Sequence, residues 1–158
     1  MLLTHANATF EDKRLTFPEF GAIKATLPLG TMPIWTEDGF VMTQNNAILR
    51  MLGIRHGYYS EDPMTCWAID SMVDFFEGEF NNCGKWLGPA TQGQPIDPAG
   101  EDEWFSSYWD KIMPVVEKRL SGHGKKFIGG TDRPTICDFK LFGTMSMVSS
   151  LNPSTCVP

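Results

Sequence analysis

Polar and apolar positions change their period near residue 56. Ahead of that point, short β-prone runs alternate with short helical ones. Residues 9–16, TFEDKRLT, read as an edge-like strand, and FPEFGAIK after them reads as a short helix that Pro18 starts in its first turn. Met32–Thr36 and Phe40–Thr43 are two β-prone runs joined by Glu37-Asp38-Gly39. Asp-Gly marks a tight hairpin turn, because glycine accepts a positive φ without a Cβ clash. From Gln44 to His56 the apolar residues Ala47, Ile48, Met51 and Leu52 fall at helical spacing, and Gly57 closes the helix.

The segment GYYSEDP contains a glycine, a turn cluster and a proline, so it reads as a linker. Three long helices are predicted beyond it. The first, Pro63 to Asn82, offers Trp67, Met72, Phe75, Phe76 and Phe80 to a buried stripe and Asp70, Asp74 and Glu77 to a solvated face. A proline- and glycine-rich loop from Gly88 to Gly100 leads to the second, Glu101 to Leu120. Its acids stand in the first turn and Lys118 and Arg119 in the last, as the helix dipole favours. The third begins at Thr135, where TICD sets a hydroxyl cap three residues before an acid, and Asn152-Pro153 stops it. The expected division is an α/β domain over residues 1–56, a linker over 57–62 and an all-helical domain over 63–158.

Composition narrows the function. At 42% apolar and 20% charged, the chain is globular rather than disordered. Its net charge is -6 and its 13 Lys and Arg are scattered, so no face is built to neutralise a nucleic-acid backbone. Apolar stretches are broken well short of the roughly 20 residues a membrane span needs. No basic segment precedes an apolar run at the N-terminus, so a soluble protein that is not secreted is expected. Four cysteines without CxxC spacing point to a reducing compartment, the cytoplasm, rather than to a disulfide framework. His5, His56 and His123 are far apart and read as surface or helix-end residues, so no metal is expected.

Three segments in order, LGTMPIW, EDGFVMTQNNAILRMLG and FIGGTDRPTICDFKLFG, resemble the cytosolic glutathione S-transferases, nearest to the sigma class. The resemblance runs over almost the whole chain. It implies an α/β thioredoxin-like N-terminal domain and an all-α C-terminal domain, both partial. It further implies glutathione as co-substrate, a hydrophobic electrophile as the second substrate, and a homodimer or a larger protein assembly. Residue by residue, Pro33 matches the family's proline with a cis bond, which turns the Met32 backbone towards the glutathione cysteinyl group. Gln44 and Asn45 match the helix start that takes the γ-glutamyl carboxylate, where free amides and the dipole favour an anion. Lys24 matches the lysine that reaches the glycyl carboxylate, and Phe20 stands where the sigma class often has tryptophan. Each also has a plain reading as a turn proline, a helix cap or a solvated lysine. Thr135 and Asp138 are a folding element on either reading.

The resemblance implies no catalytic residue. Family members hold glutathione as the thiolate with a Tyr or Ser hydroxyl on the first strand, because a free thiol near pKa 8.5 is mostly protonated at neutral pH. Here the likeness begins at MLLTHANATFEDKRL, past that strand, and it stops soon after the third long helix, at SLNPSTCVP. Tyr58, Tyr59 and Tyr108 match other positions. Gly78 occupies the place of an acid that approaches the partner subunit's glutathione, Leu29 that of an aromatic dimer key, and Arg50 that of an arginine near the dimer axis. Phe80 and Trp86 are candidates for the mouth of a ligand pocket, with core packing as the plain alternative. The expectation is weak glutathione binding with poor turnover; the alternative is a non-catalytic structural subunit of a larger assembly.

Overall fold

The computed structural model describes residues 1–82, 94 and 98–151. Trp86, the Asn152-Pro153 stop and most of the loop expected after Gly88 lie outside these residues. The chain divides into two compact units, Met1–Tyr59 and Ser60–Pro158.

The first unit runs α1 (Leu2–His5), α2 (Phe17–Ile23), a 3-10 turn (Lys24–Thr26), β1 (Ile34–Glu37), β2 (Phe40–Thr43) and α3 (Asn45–His56). α2 starts where Pro18 and a capping box place it: the Glu19 carboxylate accepts from the backbone and hydroxyl of Thr16, both at 2.7 Å. The strand expected at residues 9–16 does not form. Residues 8–16 carry no regular structure, and the β1–β2 sheet does not include them. Four consecutive charges, Glu11 to Arg14, leave little apolar surface to bury, and Asp12 pairs locally with Arg14 at 2.9 Å instead.

The hairpin follows the sequence reading. Asp38 and Gly39 both have positive φ, 49° and 83°, the geometry of a two-residue type I′ turn. Its ladder is shorter by two residues than the run from Met32 suggested, because pairing starts at Ile34, opposite Thr43. α3 closes in a Schellman arrangement: Gly57 takes φ 77°, its N–H donates to Ile54, and the Tyr58 N–H donates to Gly53 at 2.7 Å. The Tyr58 hydroxyl meets His5 Nδ1 at 2.7 Å, which ties α1 to the end of α3.

The second unit contains α4 (Pro63–Asn81), α5 (Pro98–His123) and α6 (Ile136–Leu151). Asp62 caps α4 by accepting from the Thr65 N–H and hydroxyl, both at 2.8 Å. Those bonds hold its carboxyl below the ordinary range. α5 is longer than expected at both ends, so Lys118 and Arg119 stand one turn before its end, and Pro114 lies inside it.

The core stripe of α4 is Ile69, Met72, Val73 and Phe76, spaced i, i+3, i+4 and i+7. It meets Tyr108, Ile112 and Val116 from α5 and Ile136 and Leu141 from α6 as the buried set. Two expectations for α4 need correction. Trp67 is 60% exposed, because two residues before Ile69 is a half-turn away from the stripe, and the Arg119 guanidinium covers it at 5.6 Å. Phe75, off the same line, is half-buried, and so is Phe80, which continues the line one turn beyond Phe76 near the end of the helix. Nor are the acids one solvated face: Asp74 is exposed, whereas Glu77 is half-buried and accepts from Lys140 on α6.

Thr135 and Asp138 form the expected cap and do more. Asp138 Oδ2 accepts from the Thr135 N–H at 2.8 Å and its hydroxyl at 2.9 Å, while Oδ1 accepts from the Ile128 N–H at 3.0 Å. One carboxylate thus starts α6 and fastens the preceding loop. Cys137 is buried beside this cap, and burial pushes its thiol up to about 12, a packing residue rather than a nucleophile.

Candidate functional site

The hairpin register decides which candidate residues meet. Ile34 pairs with Thr43, so Met32-Pro33, which precede the ladder, and Gln44-Asn45, which follow it, leave the same end of the sheet. The Met32–Pro33 bond is cis. Met32, Pro33, Gln44 and Asn45 are all exposed there.

Gln44 makes the connection alone. β2 ends at Thr43 and α3 begins at Asn45, so one residue must turn the chain from strand to helix, and it does so at φ 73° and ψ 108°. A side chain in that region costs on the order of 1–3 kcal/mol, and the surrounding structure must impose it. The usual order of glycine and alanine should therefore invert. Gln44→Gly is expected to be more stable than Gln44→Ala by about 1–2 kcal/mol in urea unfolding, since only glycine accepts this backbone freely. Equal stability of the two variants would mean that the turn relaxes.

The reward for that backbone is the direction of α3. The first amides of the helix are brought beside the exposed Met32-Pro33 segment, and a helix start offers N–H donors and the positive end of the dipole to an anion.

Phe20 and Lys24 form a second group. They lie one turn apart, the Lys24 ammonium sits 5.9 Å from the Phe20 ring centre, and the Lys24 side chain runs past Gly30. Gly30 has φ 61°, and a Cβ there would stand 3.8 Å from Lys24 Cγ. The lysine is held along α2 and the loop that leads to Met32. Phe20 supplies a ring face to it and no hydrogen bond donor.

Sequence reasoning missed a third group. Glu37, at the end of β1, accepts from Trp35 Nε1 at 3.1 Å and from Arg55 Nη1 at 2.7 Å. The Arg55 and Trp35 bonds hold its carboxyl below the ordinary range. The signal was present: residues i and i+2 share a strand face, and a cation in the last turn of the next helix is free to reach it.

No family model matches the chain. Glutathione S-transferase 1 of Ascaris suum is 29% identical over 156 residues, which are 97% of this chain and 74% of that protein. The solved glutathione S-transferase of Ascaris lumbricoides superposes with a TM-score of 0.82 at 26% identity, over 98% of this chain and 75% of that one. In sequence and in fold the chain is similar to the glutathione S-transferases. Hematopoietic prostaglandin D synthase of Gallus gallus is also a relative, 34% identical over 128 residues, 81% of this chain and 62% of that protein. Its presence agrees with the sigma-like character of the motifs. The glutathione S-transferase fold accounts for both units, a thioredoxin-like α/β part with a two-stranded sheet among the described residues and a helical part after it.

Proposed function

We propose that this glutathione S-transferase relative binds glutathione weakly at the open end of its hairpin and turns it over poorly by itself. The observation that carries the binding is the register, which brings Met32-Pro33 and Gln44-Asn45 to one edge. In this reading the Met32 backbone pairs with the cysteinyl part of the tripeptide, the first amides of α3 take the γ-glutamyl carboxylate, and Lys24 takes the glycyl carboxylate. Asn45 replaces the hydroxyl residue usual in the family and still offers an amide donor.

Poor turnover follows from the hydroxyls. A thiol needs a donor to be stabilised as its anion. The Tyr58 hydroxyl is engaged by His5, and Tyr108 is buried within the helical unit. None of the three tyrosines, Tyr58, Tyr59 and Tyr108, matches the position of the family's thiol-activating hydroxyl. A hydrophobic electrophile, a cytoplasmic setting and a second copy of the chain belong to the same reading. No described helix is long and apolar enough to cross a membrane.

The test is calorimetric titration of the 158-residue chain with glutathione, run beside a chloronitrobenzene conjugation assay. The expected result is a dissociation constant near the millimolar range, about -4 kcal/mol, with conjugation at the background rate. Asn45→Ala is expected to weaken binding further, by about fivefold, as loss of one hydrogen bond worth about 1 kcal/mol implies. Conjugation well above background would overturn the poor-turnover reading. Absence of binding would overturn the site and favour the alternative, a non-catalytic structural subunit, to which the exposed Leu29 and Phe40 offer apolar contact surface.

A further inference from the structure

The α3 helix is held at both ends, and only its N-terminal end belongs to the proposed site. At that end Gln44 connects it directly to β2, through a backbone conformation that leaves the helix direction to be fixed elsewhere. The helix packs on both strands. Eleven positions along, Arg55 reaches back across the sheet to Glu37, with Nη1 2.7 Å from each carboxylate oxygen. Trp35, two residues before Glu37 on the same face of β1, donates its indole N–H to that carboxylate.

We infer that Glu37 is a positioning residue: by gripping Arg55 and Trp35 it sets the tilt of α3 on the hairpin and so aims the amides after Gln44 at the ligand. The inference rests on the glutathione reading of this edge and adds to it a residue that touches no ligand. The geometry is that of a lever. Between Asn45 and Arg55 the helix rises about 15 Å, so a loose far end lets the helix pivot about Gln44. A rotation of a few degrees at the pivot changes the direction of the amides there. The Glu37 and Arg55 side chains are 31% and 43% exposed, so solvent screens the pair and it adds little to stability. Its value lies in direction: two donors from different elements converge on one carboxylate. A hydrophobic contact in its place would set no such angle.

The experiment compares wild type, Glu37→Ala and Glu37→Gln, with Asp12→Ala as control for loss of an exposed ion pair in the same unit. Two quantities are read: the glutathione dissociation constant by calorimetry, and the backbone amide NMR shifts of Gln44, Asn45 and Asn46 in the ligand-free protein. Glu37→Ala is expected to weaken glutathione about three- to fivefold, as the loss of a part-exposed charged contact implies, and to move those amide signals. Glu37→Gln keeps an acceptor for Trp35 and recovers part of both. Asp12→Ala changes neither. Unmoved amide signals in Glu37→Ala, with an unchanged dissociation constant, would overturn the inference even if the variant melts earlier. Should wild type fail to bind glutathione, the site reading falls, and the amide shifts alone decide for or against Glu37. Should Glu37→Ala not fold, Glu37→Gln against wild type decides in the same way.

Discussion

Replacing Asp138 with asparagine is expected to lower the unfolding free energy of the helical unit by about 3 kcal/mol, close to the loss of two hydrogen bonds to a half-buried charged acceptor. The substitution keeps size and shape and changes only which groups accept. Asp138 receives three bonds, from Ile128 N–H on one oxygen and from Thr135 N–H and hydroxyl on the other. An asparagine has one oxygen. Whichever way its amide turns, an NH2 group faces a donor, and either the loop at Ile128 or the first turn of α6 loses its anchor. For a unit of about 100 residues this corresponds to a fall in midpoint of roughly 12–20 °C. Thermal unfolding followed by circular dichroism measures it. Loss of less than 1 kcal/mol would show that water replaces the carboxylate and that the box is a local cap only. Gly129 sharpens the case, because a Cβ there would come within 2.8 Å of Ile69 Cγ1 and 3.0 Å of Thr135 Oγ1. The loop that Asp138 fastens is thus pressed against α4 with no room to shift.

Local chemistry explains which parts of this fold were legible from sequence. Asp38-Gly39, Gly57, Pro18 with Thr16 and Glu19, and Thr135 with Asp138 each bring their partners within three residues, so the bonds that make the turn or cap are written in consecutive letters. The strand expected at residues 9–16 failed because a strand is a pairwise object. TFEDKRLT has acceptable β character, but the β1–β2 sheet gives it no place, and its charges satisfy one another locally. Trp67 misled for a related reason: a large aromatic suggests burial, yet the helical angle to Ile69 puts it outside, where Arg119 supplies a partner 52 positions away. For the candidate site, the motifs pointed to two stretches of backbone, and the register of the hairpin puts the Met32-Pro33 and Gln44-Asn45 pairs at one end of the sheet. The tie from Glu37 to Arg55 spans 18 positions, so strand spacing could suggest the Trp35 half of the group but not which distant cation completes it.

Removing the Glu77 carboxylate should reveal how α4 and α6 are joined. Lys140 has a side chain only 9% exposed, and its ammonium donates to Glu77, itself 34% exposed, across the interface of the two helices. A buried cation that loses its counter-charge costs about 3–5 kcal/mol in well-enclosed sites. Because Glu77 is one-third open to water, which screens the pair, Glu77→Ala is expected to cost about 2 kcal/mol. The same logic predicts a sign reversal on removing both partners. Lys140→Met fills the enclosed space with a flexible apolar chain, so the double variant Glu77→Leu with Lys140→Met should recover to within about 1 kcal/mol of wild type. Urea unfolding of Glu77→Leu, Lys140→Met and the double variant closes the cycle, and a coupling of at least about 1 kcal/mol is expected between the sites. Additive losses would mean that Lys140 finds water or another acceptor when Glu77 is gone. In that case the neighbouring apolar stripe, Ile69 to Phe76, alone would hold α4 in place.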